Sequence, residues 1–478
     1  MRVQIFLAIF VASLVSQAVN AAPPNVVIIL ADDLGINDLA CYGRSEHNTP
    51  HLDQLAREGI RFTNAYCGLS ICSASRAAIM TGKSPARLNL TTFLPGRPDA
   101  PTQQLLQVEI QPQLPLEEVT LAERFKKLGY ITGLFGKWHL GNRGFQPKDQ
   151  GFDESFQPPS NSAPSETEGG KSEYAITQHA IEFIDQHKSE PFFCYVAHHS
   201  PHIRLAAKPE LIEKNKGKFN PVYAAMIETL DDTVGQILDT LKKNDLVENT
   251  IVVFASDNGG LHVLELNELP THNSPFRAGK GYLYEGGLRV PLIIRWPGQI
   301  RPRVTDVPTV NCDFTPTFME LCGGTITESL DGVSIANLLL NDIEPPKRVF
   351  PFHFPHYTNQ GSRPAGALRD GQWKLIEYYD DGTLELYDLS QDIGEQHDLS
   401  SQQPERTAAM RKQLADWRES VNARMNPPNP RYDRNAGERI YLHYNSSRFL
   451  PLETAVRSAP LQEDWRKLMD QAVARPKK

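Results

Sequence analysis

The run Asn25-Val26-Val27-Ile28-Ile29-Leu30, followed by Ala31-Asp32-Asp33, decides the fold. A continuous apolar stretch of this length, rich in β-branched residues, reads as a strand buried on both faces. Two carboxylates close it. The same design recurs three times. Residues 131–135 lead into Gly136-Lys137-Trp138-His139, residues 192–197 into His198-His199-Ser200-Pro201-His202, and residues 251–255 into Ser256-Asp257-Asn258-Gly259. In open α/β sheets the site lies beyond the carboxyl ends of the strands. Four strands ending in Asp, Asn, Lys and His therefore point to one shared site.

Helical patterns lie between these runs. Thr49-Pro50 reads as an N-cap and first-turn proline, with Gly59 as the stop. Thr120 and Glu123 form a capping box ahead of Leu121, Phe125 and Leu128, and Gly129 ends that helix. Tyr223, Met226, Ile227, Leu230, Val234, Ile237, Leu238 and Leu241 share one helical stripe, which reads as core. Alternating strand and helix predict an α/β fold: a large mixed, mostly parallel sheet flanked by helices. From residue 349 the texture changes. Residues 368–377 and 383–389 alternate like antiparallel strands around the turn Asp380-Asp381-Gly382, and a helix follows near residues 405–424. This predicts a smaller C-terminal α+β subdomain containing an antiparallel sheet. The predicted organisation is 1–21 signal peptide, 22–348 catalytic domain and 349–478 C-terminal subdomain with an extended tail.

Composition narrows the function. The 478 residues carry a net charge of −8 and no basic block, which argues against nucleic acid and anionic membrane. Arg2, an apolar run over residues 5–14 and the Val19-x-Ala21 end form a secretory signal, too short to span a bilayer. No later segment is apolar enough to span one, so the chain is expected to be exported, periplasmic or secreted. Six cysteines without a CxxC pair are too few for a disulfide scaffold; which of them pair, if any, stays open.

The most specific text is Cys72-Ser73-Ala74-Ser75-Arg76, continued by Ala77-Ala78-Ile79-Met80-Thr81-Gly82-Lys83. It resembles the signature of the type I sulfatases, C-x-P/A-S-R followed by x-x-x-L/M-T-G-K/R, and matches at every defining position. The resemblance runs from residue 25 to about residue 399. It implies the alkaline-phosphatase-like fold and oxidation of Cys72 to Cα-formylglycine by a separate maturation enzyme. The chemistry agrees. A sulfate ester repels anionic nucleophiles, so its hydrolysis needs cations around the oxygens and a nucleophile held in line.

Asp32, Asp33, Asp257 and Asn258 offer oxygen ligands suited to a hard divalent ion. The resemblance implies Ca²⁺ there, with the residue formed from Cys72 completing the shell and Arg76 holding it. Lys137 and Lys280 resemble the sulfate-binding lysines, and His139 the base that releases sulfate. Asp257 is the expected base for attack on sulfur. The family's A-P-H-x-P pattern selects His199 as the acid for the leaving alcohol, with His202 a second candidate or a substrate contact. Gly286-Gly287 and Arg289 also look family-like, in a structural role.

The expected reaction is hydrolysis of a sulfate ester. Phe352-His353-Phe354-Pro355-His356-Tyr357 offers apolar faces and donors for a sugar ring, so His353 and His356 are expected to bind substrate. The expected partner is a sulfated carbohydrate, attacked from its end, with galactose or N-acetylgalactosamine sulfate foremost by resemblance. Two rivals stay open at this point: a phosphate or phosphonate ester hydrolase of the same superfamily, and a glycan-binding protein in which Cys72 stays unconverted.

Overall fold

Four strands side by side form the middle of the molecule: β4 (Ile131–Gly136), β6 (Phe192–Pro201), β1 (Asn25–Asp32) and β7 (Thr250–Ser256). They are the four runs singled out above, and all are parallel. The computed structural model describes residues 23–158 and 170–473. Residues 1–21, expected from the sequence to be a signal peptide, lie outside them.

β5 (Glu154–Phe156) extends one side of this group; β8 (Leu292–Arg295), β2 (Ile60–Phe62) and β9 (Arg303–Thr305) extend the other. Only β8 runs against its neighbours, so the eight-stranded sheet is mixed and mostly parallel. β3 (Ala65–Tyr66) and β10 (Thr309–Val310) make a small separate pair.

Two-sided burial explains the composition of β1. Val26, Ile28 and Leu30 pack on one face with Ala74, Ala77 and Ile79 of the helix Cys72–Thr81 and with Leu121 and Phe125 of the helix Leu121–Lys127. Val27, Ile29 and Ala31 pack on the other with Tyr223, Ile227, Leu230, Val234, Ile237 and Leu241 of the helix Pro221–Lys243. The capping box forms as read: Thr120 Oγ1 accepts from Glu123 N at 3.2 Å, and Thr120 N donates to Glu123 Oε2 at 2.7 Å. Thr49 and Gly59 flank the helix Pro50–Glu58, although the Thr49 side chain does not cap it.

The second sheet is antiparallel, in the order β11 (Val349–Phe354), β12 (Ala365–Asp370), β13 (Trp373–Tyr378) and β14 (Leu384–Asp388). Residues 368–377 are therefore not one strand. Gly371, at φ 57°, allows a two-residue turn that pairs Asp370 with Trp373. One face of this sheet, with Phe350, Phe352 and Phe354, joins the main core. The other face, with Leu368, Leu375 and Leu386, is covered by Met410 and Leu414 of the helix Pro404–Ser420. The last helix, Glu463–Val473, buries Trp465 and Met469 beside Ile203, Leu261 and Tyr357. All six cysteines are free thiols. No helix among the described residues is long and apolar enough to cross a membrane.

Candidate active site

The four strand exits converge as predicted on one cluster, with Cys72 at the N-terminus of the signature helix beside it. Asp32, Asp33, Cys72, Arg76, Lys137, Asp257, Asn258 and Lys280 are all buried. Arg76 holds the cluster together. Its Nε and Nη2 lie 2.9 and 2.8 Å from Asp257 Oδ2, and its Nη1 donates to the Lys137 carbonyl at 2.8 Å. Lys137 Nζ sits 2.6 Å from Asp32 Oδ2, and Lys280 Nζ 2.7 Å from Asp33 Oδ2. Asn258 Nδ2 donates to Asp33 Oδ1 at 2.8 Å, and Cys72 Sγ is 3.9 Å from the same oxygen.

Backbone shape makes this convergence possible. Asp33 turns out of β1 at φ 65°, and His139 leaves β4 at φ 58°. Gly259 packs so tightly against the carbonyl of Gly286 that a Cβ would lie 1.9 Å from it. That contact fixes the Asp257-Asn258 exit against the loop carrying Lys280, which is the structural task of Gly286-Gly287. Asn273, not picked out in the sequence, ties the same loops: its Nδ2 donates to the carbonyls of Gly260 and Ala278, both at 2.9 Å.

Burial and charge set the titration of the site. Burial raises Asp32, but Lys137, His202, Arg76 and Lys280 outweigh it and hold Asp32 well below the usual carboxylate range. Asp257 goes the other way, pushed up to about 7 by burial and by Asp32. Burial pushes the Cys72 thiol up to about 12 against the pull of Lys137 and Lys280. As encoded, Cys72 is thus a protonated thiol at neutral pH and a poor nucleophile. His139 and His199 are pushed down to about 3 and about 4, burial leading in both.

Several buried atoms here make no hydrogen bond among the described residues: Asp32 Oδ1, which has only the Arg76 guanidinium at 3.7 Å, Asn258 Oδ1, His139 Nδ1 and His199 Nε2. Each histidine is pinned by its other nitrogen, His139 Nε2 to the Leu94 carbonyl at 3.1 Å and His199 Nδ1 to the Lys171 carbonyl at 3.2 Å. Unpaired buried polar atoms are costly and mark a place made for something else. Two orphaned oxygens among three carboxylates and an amide fit a hard cation. His202 also enters this neighbourhood: its Nε2 is 3.5 Å from Asp33 Oδ2, and ligand atoms of Asp32, Asp33, Cys72 and His202 all lie within 4.8 Å of one another.

The sulfatase family model matches residues 24–324, and the model of the N-sulphoglucosamine sulphohydrolase C-terminal region matches residues 278–420. The chain belongs to the sulfatase family.

As a sulfatase it is a sulfuric ester hydrolase. It is 32% identical to human arylsulfatase A over 443 residues, covering 79% of this chain and 84% of that protein. It is 29% identical to an N-acetylgalactosamine-6-O-sulfatase of Bacteroides thetaiotaomicron over 507 residues, 85% and 94% of the two chains. Among solved structures it is similar to Ps i-CgsB in complex with k-i-k-neocarrahexaose, with a TM-score of 0.74 and 26% identity over 89% and 99% of the chains.

Two expected substrate contacts of this sulfatase are not available. His353 Nδ1 lies 2.8 Å from Tyr379 OH and its Nε2 2.9 Å from the Arg424 carbonyl. His356 Nε2 lies 2.8 Å from Thr91 Oγ1 and its Nδ1 2.9 Å from Gln107 Oε1. Both rings are buried with both nitrogens engaged, so they knit the C-terminal sheet to its surroundings rather than read a sugar. Alternation along β11 explains this: Phe352 and Phe354 face the main core, which turns His353 to the opposite side.

Proposed function

We propose that this sulfatase is exported and removes sulfate from the end of a sulfated glycan, with galactose or N-acetylgalactosamine sulfate as the favoured unit. The N-terminal signal supports export. The relatives named for N-acetylgalactosamine sulfate and the neighbour bound to a neocarrahexaose support a sugar substrate. The observation that carries the reading is the buried group of Lys137, Lys280, Arg76 and His199, with half-buried His139, around the helix start at Cys72, an anion pocket with unpaired histidine nitrogens.

A Cα-formylglycine formed from Cys72 by a maturation enzyme would supply the attacking oxygen, and Ca²⁺ held by Asp32, Asp33, Asp257 and Asn258 would supply positive charge beside it. The chain's own residues do the rest. Lys137 and Lys280 carry ammonium groups kept charged by Asp32 and Asp33 despite burial, and these offer donors to the sulfate oxygens. Asp257, held by Arg76 Nε at 2.9 Å, places a carboxylate beside the helix start that can take a proton. His199 presents Nε2 to the departing alcohol oxygen, and His139 presents Nδ1 to take a proton at the opposite stage.

A panel of defined sulfated and phosphorylated mono- and disaccharides tests this. Release of sulfate from terminal residues, with little action on internal sulfates or on the phosphate ester of the same sugar, is the expected result. Preferential cleavage of the phosphate ester, or of internal sulfates, would overturn the substrate reading.

A further inference from the structure

β6 does not leave the sheet cleanly. Leu30 of β1 pairs with Ala197, but Asp32 pairs with Pro201, so the intervening part of β6 carries two residues more than β1 opposes. His199 and Ser200 fall in this bulge, and their amides lose their ladder partners. Glu173 takes them. Its Oε1 accepts from His199 N at 3.0 Å and from Ser200 N at 2.7 Å, while its Oε2 meets the Nδ1 of His198. Glu173 is fully buried and opens the helix Glu173–His187.

The chain reaches this position through three left-handed residues in succession: Gly170 at φ 92°, Lys171 at φ 53° and Ser172 at φ 62°. Gly170 has no room for a side chain, since a Cβ would lie 2.4 Å from the Ala206 carbonyl. Left-handed backbone at non-glycine residues costs roughly 1 kcal/mol or more each and persists where the surroundings enforce it. Here it aims the Lys171 carbonyl at His199 Nδ1 and the Glu173 carboxylate at the His199 backbone. Both atoms that hold His199 thus come from one tight segment.

We infer that Glu173 is the positioning residue for His199: it fixes the bulge that carries the ring and sets a buried carboxylate against that ring's backbone. This rests on His199 being the acid. As the sulfur–oxygen bond to the alcohol breaks, the proton on Nε2 passes to that oxygen, and the ring is left neutral with Nδ1–H donating to the Lys171 carbonyl. Burial alone drives His199 towards the neutral form, and Glu173 is the largest opposing influence on it. His198 has no share in the proton transfer. It is buried between Glu173 and Thr233, whose Oγ1 is 3.4 Å from its Nε2, and serves to hold the carboxylate.

The test compares two esters on the mature enzyme. A sugar sulfate has a poor leaving group that needs an acid; a nitrophenyl sulfate has a good one that does not. Glu173→Gln should lower kcat on the sugar sulfate by about 10²-fold and leave the nitrophenyl sulfate little changed. If that variant does not fold, Glu173→Asp, which keeps the charge but withdraws it, should show the same split at smaller size. Equal losses on the two esters, or none, would overturn the role of Glu173. His199→Ala separates the two levels. If it too affects both esters equally, the acid assignment fails; if it splits them and Glu173→Gln does not, only the positioning role fails.

Discussion

Two clusters of buried charge sit in this molecule, and they are built differently. One is the active site, with Asp32, Asp33, Asp257, Arg76, Lys137 and Lys280. The other joins the main sheet to the C-terminal sheet and contains Glu285, Arg289, Arg369, Lys374 and Glu395 around Tyr66. In the junction every carboxylate oxygen is within 3.0 Å of a donor. Glu285 Oε1 meets Lys374 at 3.0 Å, and its Oε2 meets Tyr66 OH at 2.6 Å and Arg289 at 2.7 Å. Glu395 Oε2 accepts from the Glu285 amide at 2.7 Å, and its Oε1 is paired with Lys374 by charge at 2.8 Å without a hydrogen bond. In the active site Asp32 Oδ1, Asn258 Oδ1, His139 Nδ1 and His199 Nε2 are left over. A cluster whose charges pair with one another fixes an architecture; one with open ligand atoms is completed by what it binds.

The largest effect is expected at Cys72. Cys72→Ala should lower turnover by at least about 10⁴-fold with the melting temperature nearly unchanged, because the position is small and only the nucleophile precursor is lost. Ordinary turnover by the folded variant would refute the assignment. Next, Asp257→Asn should reduce kcat by about 10²- to 10⁴-fold, more than Asn258→Ala, since only Asp257 can also move a proton. Steady-state kinetics on one sugar sulfate checks the order, and a larger loss for Asn258→Ala would reverse the roles.

The two lysines sharpen the contrast. Lys374→Met strips the junction carboxylates of their shared cation and should destabilise the fold by about 3–5 kcal/mol, with kcat of the folded fraction retained. Lys137→Ala should instead lower kcat/KM, and added Ca²⁺ should recover its melting temperature, because the ion claims the carboxylate that Lys137 leaves. Chelation of the unaltered enzyme should correspondingly lower both activity and Tm. Thermal melts with and without Ca²⁺ decide this; rescue of Lys374→Met by Ca²⁺, or none of Lys137→Ala, would erase the distinction.

A smaller effect is expected from pH. Glu395 is pushed up to about 7 by burial and by Glu285, against Lys374. Between its ordinary value near 4.5 and about 7 the folded state keeps a proton that the unfolded chain has released, so this group lowers stability as pH rises through that window. Glu395→Gln should flatten that slope in denaturant titrations at several pH values. Smallest of all, His353→Ala and His356→Ala should reduce stability while shifting activity on sugar and aryl sulfates in parallel; selective loss on the sugar would restore them as substrate contacts.

Much of this was legible in the sequence because its signals are local. An apolar run that ends in Asp, Lys or His names a strand and its exit together, and β1, β4, β6 and β7 follow that rule. The signature helix and the capping box at Thr120 are equally local. Glu173 and Asn273 were missed because their partners are set by a bulge and by loop packing far away in the chain. His353 in β11 and His356 just beyond it misled because composition does not say which way a side chain faces.

We propose that the active-site cluster turns over sulfate esters only once Cys72 has been converted. Peptide mass spectrometry of residue 72, run on preparations with different exposure to a maturation enzyme and plotted against sulfate release from a sugar sulfate, measures it directly. Activity should be proportional to the fraction in which the cysteine sulfur has been replaced by oxygen, falling to zero with the thiol. Sulfate release at an unchanged rate from protein whose Cys72 is entirely thiol would contradict it.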